Sequence, residues 1–244
     1  MSEKPLNVYV GLDRSFGKVA AAVCMRSILN HASIPVDFTL LDLGWLRRVG
    51  LYTRPGYTVN GQFYDGFDGR PASTEFSFSR FLTPSLQPHG HAVFVDGDFM
   101  FRTDIAELAS HFVDDAAVQC VHHMYAPTET TKMHGQVQSR YPRKNWSSLM
   151  VFNCDHRANE VLTPALVNTM DGRWLHAMGW LTDLHIGSVP HEWNWLDGSA
   201  SERVEPKAVH FTRGTPDMPG WADTQYANEW REIQETLSRD DLNI

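Results

Sequence analysis

Two aspartates that flank a glycine, Asp96-Gly97-Asp98, have the clearest capacity for chemistry in this chain. They follow the apolar run 92–95, Ala-Val-Phe-Val, which predicts a strand buried on both faces. Residues two apart in an extended backbone point the same way, so both carboxylates can face one ligand, and Gly97 leaves room between them. Such oxygen ligands suit Mg²⁺ or Mn²⁺, which bridge carboxylates to nucleotide phosphates. The pattern indicates a metal and nucleotide site, although Asp-Gly after a strand is also ordinary turn chemistry.

The segments ahead of this strand predict the scaffold that positions it. Residues 7–12 alternate as a strand, residues 18–31 carry apolar side chains at helical spacing, and residues 35–43 read as a second strand. A β-α-β unit of this kind implies a parallel sheet with right-handed crossovers. Asp13 or Ser15 could cap the helix.

The remaining segments predict further strands and helices of one α/β domain over residues 1–244. Residues 44–73 contain six glycines without a clean period, which indicates an irregular excursion typical of a functional lid. Residues 77–82 predict a short helix that Pro84 closes and that carries Arg80. The other predicted elements are helices at 104–112, 159–170 and 223–238, the last capped by Asp223, and strands at 116–122, 147–154 and 207–212.

Composition narrows the class of protein and of partner. A hydrophobic content of 42% suffices for a full core, and a net charge of −8 disfavours nucleic acid as a partner without excluding it. The three cysteines are widely spaced in apolar runs, which argues against a disulfide framework or a zinc cluster. No run is long enough for a membrane span, and the start lacks a signal-peptide core, so we expect a cytoplasmic protein.

The order of these motifs resembles the nucleotide-sugar-dependent glycosyltransferases of family 8, the glycogenin and bacterial galactosyltransferase group. The resemblance extends from about residue 7 to about residue 221, and its most specific part is the DXD motif of Asp96 and Asp98 followed by a strand-borne His210. The stretches 141–148 and 191–196 resemble a bacterial and phage-type branch of that group. The fold implied is GT-A, a mostly parallel, Rossmann-like central sheet flanked by helices.

The resemblance also implies a donor, an ion and site residues. The donor would be a nucleotide sugar, UDP-linked in this group, and the ion Mn²⁺ or Mg²⁺. His210 would be the third metal ligand, a role that its imidazole beside two carboxylates suits with Mn²⁺; a histidine satisfied at a strand end is the alternative. Asp13 would contact the uracil or ribose, unless it caps the helix. Arg80 would hold the diphosphate or the donor sugar, unless it is a solvated helix arginine.

Two positions extend this donor site, and at both the sequence departs from the family pattern. Lys144 and Arg143 are candidates for phosphate or sugar contact, or form a solvated basic loop. One of Asn145, Ser147 or Ser148 is expected to reach the donor sugar, although the family turn there reads Asn-Ala-Gly. Asp183 is the catalytic candidate near the reacting carbon, but Leu184 replaces the glutamine that usually follows it.

The function expected is transfer of a hexose or pentose from a nucleotide sugar, with retention of configuration as in family 8. The acceptor could be a glycan, a metabolite, a protein or a modified nucleobase. A nucleotidyltransferase of similar architecture is one alternative, but residues 12–17 contain a single glycine and so lack a Gly-rich phosphate loop. The other is a non-catalytic carbohydrate-binding protein, in which Trp180, Trp193 and Trp195 would stack on sugars.

Overall fold

A computed structural model describes residues 4–15, 17–60, 62–123, 131–132, 136–137, 143, 145–198 and 204–244. Its strands are β1 (Leu6–Gly11), β2 (Val36–Leu41), β3 (Gly56–Val59), β4 (Gln62–Asp65), β5 (Pro71–Ala72), β6 (His91–Val95), β7 (Phe99–Phe101), β8 (Val118–Cys120), β9 (Thr131–Lys132), β10 (Gln136–Val137), β11 (Leu149–Asn153), β12 (Ile186–Ser188), β13 (Trp195–Leu196) and β14 (Ala208–His210). Its α-helices are α1 (Lys18–His31), α2 (Leu43–Arg48), α3 (Thr83–Leu86), α4 (Ile105–Ala109), α5 (Pro164–Thr169), α6 (Gly172–His176) and α7 (Ala227–Glu235).

The central sheet has the strand order β12-β8-β11-β6-β1-β2. Strand β1 runs parallel to both β2 and β6, and β12 runs parallel to β8, whereas β11 is antiparallel to its two neighbours. Helix α1 has the bounds expected from its apolar spacing. The predicted α/β class with a mostly parallel central sheet is therefore confirmed.

Both faces of the central strands are buried, as the continuous apolar runs predict. In β1 the side chains of Val8 and Val10 pack into the core beneath α1, while Tyr9 packs into the core on the opposite face. In β6 the side chains of Val93 and Phe94 divide between the same two cores. Because both faces carry apolar residues, the carboxyl ends of these strands are the places where polar groups can collect.

A second sheet of three short strands lies beside the carboxyl end of β6. Strand β14 is antiparallel to β7, with His210 opposite Phe99, and parallel to β13, with His210 opposite Leu196. Helix α7 covers this sheet through the fully buried Trp230. Helix α7 begins at Ala227, and Tyr226 occupies the position directly before it, so the prediction that Asp223 caps this helix is wrong.

Three further expectations about local structure are wrong. The region predicted to be irregular contains α2 and an antiparallel sheet of β3, β4 and β5. Pro84 does not close a helix but lies in the first turn of α3, where the missing N–H costs nothing. Helix α1 is preceded by Gly17, and no side chain caps it, so neither Asp13 nor Ser15 acts as its cap.

Among the described residues, no helix combines the length and apolar character needed to cross a membrane.

Candidate active site

The segment from Asp96 to Asp98 connects the central sheet to the small sheet. The Asp96 backbone N–H donates to the Ser148 carbonyl over 2.8 Å, which ties the segment to the start of β11. The Phe211 N–H donates to the Asp98 carbonyl over 3.0 Å, which ties it to the end of β14. The backbone that carries the two carboxylates is thus hydrogen-bonded to residues next to strands of two different sheets.

His210 completes a cluster of three potential ligands. Its Nε2 lies 3.3 Å from a carboxylate oxygen of Asp98 and 3.9 Å from one of Asp96. One ligand atom from each residue can be chosen so that all three lie within 4.8 Å of one another. The imidazole stacks on Phe99 with ring centroids 4.3 Å apart, which fixes the plane of the ring.

The chemistry of this cluster fits a divalent cation. Two carboxylates and one imidazole are a donor set that suits Mn²⁺ and also accommodates Mg²⁺. The Nδ1 of His210 is engaged by Asn194 over 3.0 Å, so Nε2 is the ring nitrogen that faces the carboxylates. A second partner on the far nitrogen is the usual arrangement for a metal-ligating histidine.

Arg80 is buried next to the cluster. Its Nη1 lies 2.8 Å from an Asp96 carboxylate oxygen and donates to the Ser147 carbonyl over 2.7 Å, while its Nε donates to the Ser77 carbonyl over 3.1 Å. The guanidinium also lies over the ring of Phe94, 4.9 Å from the centroid. Only 6% of the side chain is exposed, so Arg80 is not the solvated arginine of the alternative interpretation.

A cavity of about 160 Å³ opens beside these residues. Its lining includes Arg80, Asp96, Asn145, Ser147, Ser148 and His210. The rest of the lining consists of Asp68, Arg70, Pro71, Ala72, Ser73, Thr74, Ser77, Phe78, Gly172, Arg173 and His176. The cavity therefore joins the ligand cluster to the sheet of β3–β5 and to helix α6.

The three candidates for sugar contact all line the cavity. Asn145 adopts the left-handed conformation with φ 65°, which asparagine tolerates better than most residues, and a 3₁₀ turn at Trp146–Ser148 follows it. The Ser148 hydroxyl donates to the Asn145 carbonyl over 2.7 Å. The Ser147 hydroxyl lies 2.8 Å from Nδ1 of His176, a cavity residue that the sequence interpretation did not single out.

Asp13 lies at the carboxyl end of β1 but outside the lining of this cavity. Its buried carboxylate accepts the N–H of Ser15 over 3.0 Å and the N–H of Glu75 over 3.1 Å. It therefore joins the turn before α1 to the segment that leads to Arg80. Burial, and then the negative charge of Asp13, raise the pKa of Glu75. Contact of Asp13 with a nucleoside stays a prediction.

Gly97 faces away from the cavity. A Cβ at this position would lie 2.4 Å from the carbonyl oxygen of Gly11 and 3.3 Å from Cβ of Ala21. The absent side chain therefore allows close packing against β1 and α1. The expectation that Gly97 makes room for a ligand between the two carboxylates is not what this geometry shows.

The structure does not bring Asp183 to the cavity. Its side chain is 91% exposed and forms an ion pair with Arg143, which also donates to the Ala177 carbonyl and lies over the ring of Trp146. The catalytic role of Asp183 stays a prediction. Lys144 lies outside the described residues.

Asn194 and His123 are buried beside the ligand cluster, and the sequence interpretation assigned neither a role. Asn194 falls in the stretch 191–196 on which the family resemblance partly rested, which is the only signal that could have indicated it. Burial, and then the positive charges that His210 and His191 can carry, lower the pKa of His123 to about 3. A ring with so low a pKa adds no positive charge beside the cluster at neutral pH.

The chain is similar to a named plant protein along nearly its whole length. It is 43% identical to Protein CDI of Arabidopsis thaliana over 244 residues, which cover 98% of this chain and 89% of the plant protein. The chain belongs to the Protein CDI family. No protein-family model matches the chain described here.

Solved structures identify the fold of this Protein CDI family member as GT-A. The galactosyltransferase LgtC, solved with donor and acceptor sugar analogues, matches with a TM-score of 0.58 and 11% identity over 96% of each chain. The glycosyltransferase GlyE of Streptococcus pneumoniae TIGR4 matches with a TM-score of 0.60 and 11% identity over 99% of this chain. The bifunctional glycosyltransferase WbbM matches with a TM-score of 0.56 and 15% identity over 96% of this chain. The chain spans 63% of GlyE and 52% of WbbM.

Proposed function

We propose that this protein is a metal-dependent glycosyltransferase that moves a hexose or pentose from a nucleotide sugar, UDP-linked by the family 8 resemblance, to an acceptor hydroxyl. The observation that carries the proposal is the convergence of Asp96, Asp98 and His210 beside a cavity that Asp96 and His210 line. His210 is 112 residues beyond Asp98 in sequence, so only the fold brings them together.

The leaving group explains why such a cluster is needed. Departure of a nucleoside diphosphate from a sugar places negative charge on phosphate oxygens, which a divalent cation stabilises as a Lewis acid when bound. Mn²⁺ is the preferred ion for two carboxylates and one imidazole, and Mg²⁺ is the second choice.

Arg80 would hold the diphosphate or the donor sugar beside that ion. Three of its contacts, to the Ser77 carbonyl, the Ser147 carbonyl and Asp96, fix the guanidinium before any ligand arrives. A fixed and partly neutralised arginine costs little reorganisation when charge develops on the leaving group. Asn145, Ser147 and Ser148 would then contact the donor sugar from the cavity wall, and Asp13 the nucleoside.

Retention of configuration and a catalytic role for Asp183 are parts of the same proposal that rest on the family 8 resemblance. Asp183 is exposed, lies outside the cavity lining and pairs with Arg143, so its action would require it to leave Arg143 when an acceptor binds. Compatible acceptors are a glycan, a metabolite, a protein or a modified nucleobase. The three free cysteines suit the reducing cytoplasm, which we propose as the location.

The carbohydrate-binding alternative loses its main support. Trp193 and Trp195 are 0% and 4% exposed, and Trp180 donates to the Asn159 side chain while packing edge-on against Phe81. A tryptophan must expose its ring face to stack on a sugar. These tryptophans instead belong to the cores around the sheets.

The proposal is tested by thermal denaturation with UDP, with and without Mn²⁺. A ligand that binds only the folded state at about 100 times its dissociation constant adds roughly 2.7 kcal/mol, which corresponds to about 5–10 °C for a chain of this size. We expect that increase with UDP and Mn²⁺ together, and its loss in EDTA or in the variant Asp98→Asn.

Asp37→Asn is the matched control, because it makes the same chemical change on an exposed residue of β2. This variant should respond to UDP and Mn²⁺ as the wild type does. A wild-type protein that responds to no nucleotide in the presence of Mn²⁺ would contradict the glycosyltransferase proposal.

A further inference from the structure

Asn194 occupies a fully buried position between the ligand cluster and the cavity wall. It is the last residue of the 3₁₀ turn His191–Asn194, directly before β13, and its side chain is 0% exposed. The carbonyl of Glu192, in the same turn, accepts the N–H of Lys207 over 2.8 Å, just before β14 begins. The turn is thus held against the strand that ends at His210.

The hydrogen bonds of Asn194 fix the orientation of its amide. The Nδ2 group donates to the Ser148 hydroxyl over 2.9 Å and approaches the Asn145 carbonyl at 3.4 Å. A backbone carbonyl can only accept, so the amide nitrogen must face this turn and Oδ1 must face His210.

That orientation determines the tautomer of His210. Oδ1 of Asn194 lies 3.0 Å from Nδ1 of His210, and an amide oxygen can only accept. Nδ1 must therefore carry the proton, which leaves the lone pair of the neutral ring on Nε2. Nε2 is the nitrogen that lies 3.3 Å from Asp98 and 3.9 Å from Asp96.

We propose that Asn194 is a positioning residue that presents Nε2 of His210 to a divalent cation and joins the ion site to the turn at 145–148. This inference rests on the proposed function, because it assigns Asn194 to the metal site of the donor. Since Asn145 and Ser148 line the cavity, the same amide contacts both the histidine ligand and the wall expected to hold the donor sugar. Outer partners of metal-ligating histidines typically account for a tenfold to hundredfold change in metal affinity.

The first experiment measures Mn²⁺ affinity in the presence of UDP, from the electron paramagnetic resonance signal of free Mn²⁺. Asn194→Ala should raise the dissociation constant at least tenfold, because either nitrogen of His210 can then carry the proton. A wild-type protein that binds no Mn²⁺ would contradict the proposed function, whereas equal affinity in wild type and Asn194→Ala would contradict the role of Asn194.

Asn159→Ala is the matched control. Asn159 is also a buried asparagine, 2% exposed, which donates to the carbonyls of Ala117 and Asn153 and accepts from Trp180. It lies near Asn153, four residues or about 13 Å along β11 from Leu149, at the end of the sheet away from Asp96. Asn159→Ala should lower stability but change the Mn²⁺ dissociation constant less than twofold. A similar loss of affinity in both variants would overturn the proposal.

A second experiment uses only the wild-type protein, so it does not depend on whether Asn194→Ala folds. Long-range ¹H–¹⁵N correlation spectra of the wild type, recorded where the ring is neutral, report which nitrogen of His210 carries hydrogen. We expect the Nδ1–H tautomer, with an Nε2 resonance that shifts on addition of diamagnetic Mg²⁺ with UDP. An Nε2–H tautomer in the free protein would overturn the proposal even if Asn194→Ala failed to fold.

Discussion

His123 is held in its uncharged form by its surroundings. The ring lies edge-on to His191, with centroids 5.7 Å apart, and the backbone carbonyl accepts the indole N–H of Trp146 over 3.0 Å. Burial is the largest cause of its low pKa, followed by His210 and His191, while an interaction with Asn194 opposes the shift. Any charge on His122 or His191 is positive, so both neighbours also lower the pKa of His123.

This low pKa makes a prediction about acid stability. Because the pKa of His123 is about 3 in the folded protein and about 6.5 in the unfolded chain, only the unfolded chain takes up the proton between these values. The free energy of unfolding should therefore fall as the pH drops below about 6.5, with a contribution from His123 of about 2 kcal/mol between pH 7 and pH 5. Urea denaturation of wild type and His123→Gln across this range measures the contribution.

The comparison isolates one ring, since the other histidines titrate in both proteins. The difference in unfolding free energy between wild type and His123→Gln should shrink or reverse toward pH 5. Two curves that run parallel from pH 7 to pH 5 would show that the ring protonates freely in the folded protein.

A buried arginine helps to attach the sheet of β3–β5 to the rest of the molecule. Arg54 forms a two-pronged ion pair with Asp65, and the two side chains are 0% and 1% exposed. Its Nη1 also donates to the Met170 carbonyl over 2.6 Å, and the guanidinium lies over Phe78 at 4.2 Å from the ring centroid. Since Phe78 lines the cavity, this arginine connects the sheet to the cavity wall.

Removal of this arginine should be costly. Arg54→Met leaves the carboxylate of Asp65 buried without its partner, so the free energy of unfolding should fall by about 3–5 kcal/mol. Asp65→Asn in the same chain removes the stranded charge and should recover part of that loss. Urea denaturation measures both changes.

Arg70→Met is the control for this experiment, because it makes the same substitution in a pair with Asp171 in which both side chains are 45% exposed. Such a surface pair contributes about 0–1 kcal/mol. A loss at Arg54 no larger than that at Arg70 would mean that the buried ion pair does not anchor the sheet.

These elements also show how far the sequence could predict the fold. Helix α1 and strand β6 were predictable, because their apolar spacing matches the burial that each experiences. The hairpin of β3 and β4 carried the Asn60-Gly61 pair typical of a tight turn, but the many glycines around it favoured an irregular interpretation. Strand β7 was missed because it has only three residues, Phe99–Phe101, which are too few for an alternating pattern to show.

The candidate site was predictable only in part, because apolar spacing marks the strand before it but not its distant partners. Asp96 and Asp98 follow a strand that the sequence marks clearly, whereas His210 could be associated with them only through a family resemblance. Asn194 and His176 could not be placed, because their roles depend on tertiary hydrogen bonds to His210 and Ser147. Periodicity predicts which face of an element is buried but does not predict which distant polar groups meet.

At the scale of the whole molecule, the ligand cluster lies between two sheets. Asp96 follows β6 of the central sheet, Asp98 precedes β7 of the small sheet, and His210 ends β14. An ion held by all three residues would therefore resist separation of the two sheets, in addition to holding a diphosphate.

This placement predicts a pattern of hydrogen exchange. With Mn²⁺ and UDP bound, amide exchange should slow in β7 and β14 as well as in β6, because opening either sheet would release the ion. Mass spectrometry of exchanged peptides measures the effect, and Asp98→Asn should abolish it. Slower exchange in the central sheet alone would show that His210 does not take part in binding.

The contact between Gly97 and Gly11 has a consequence for attempts to change the specificity of this protein. A Cβ at Gly97 would lie 2.4 Å from the Gly11 carbonyl, and a Cβ at Gly11 would lie 2.4 Å from the ring of Phe76. Two backbones and one aromatic ring therefore set the position of the DXD segment. A randomised library should keep both glycines and vary lining residues that do not belong to the ligand cluster, such as Arg70 and Arg173.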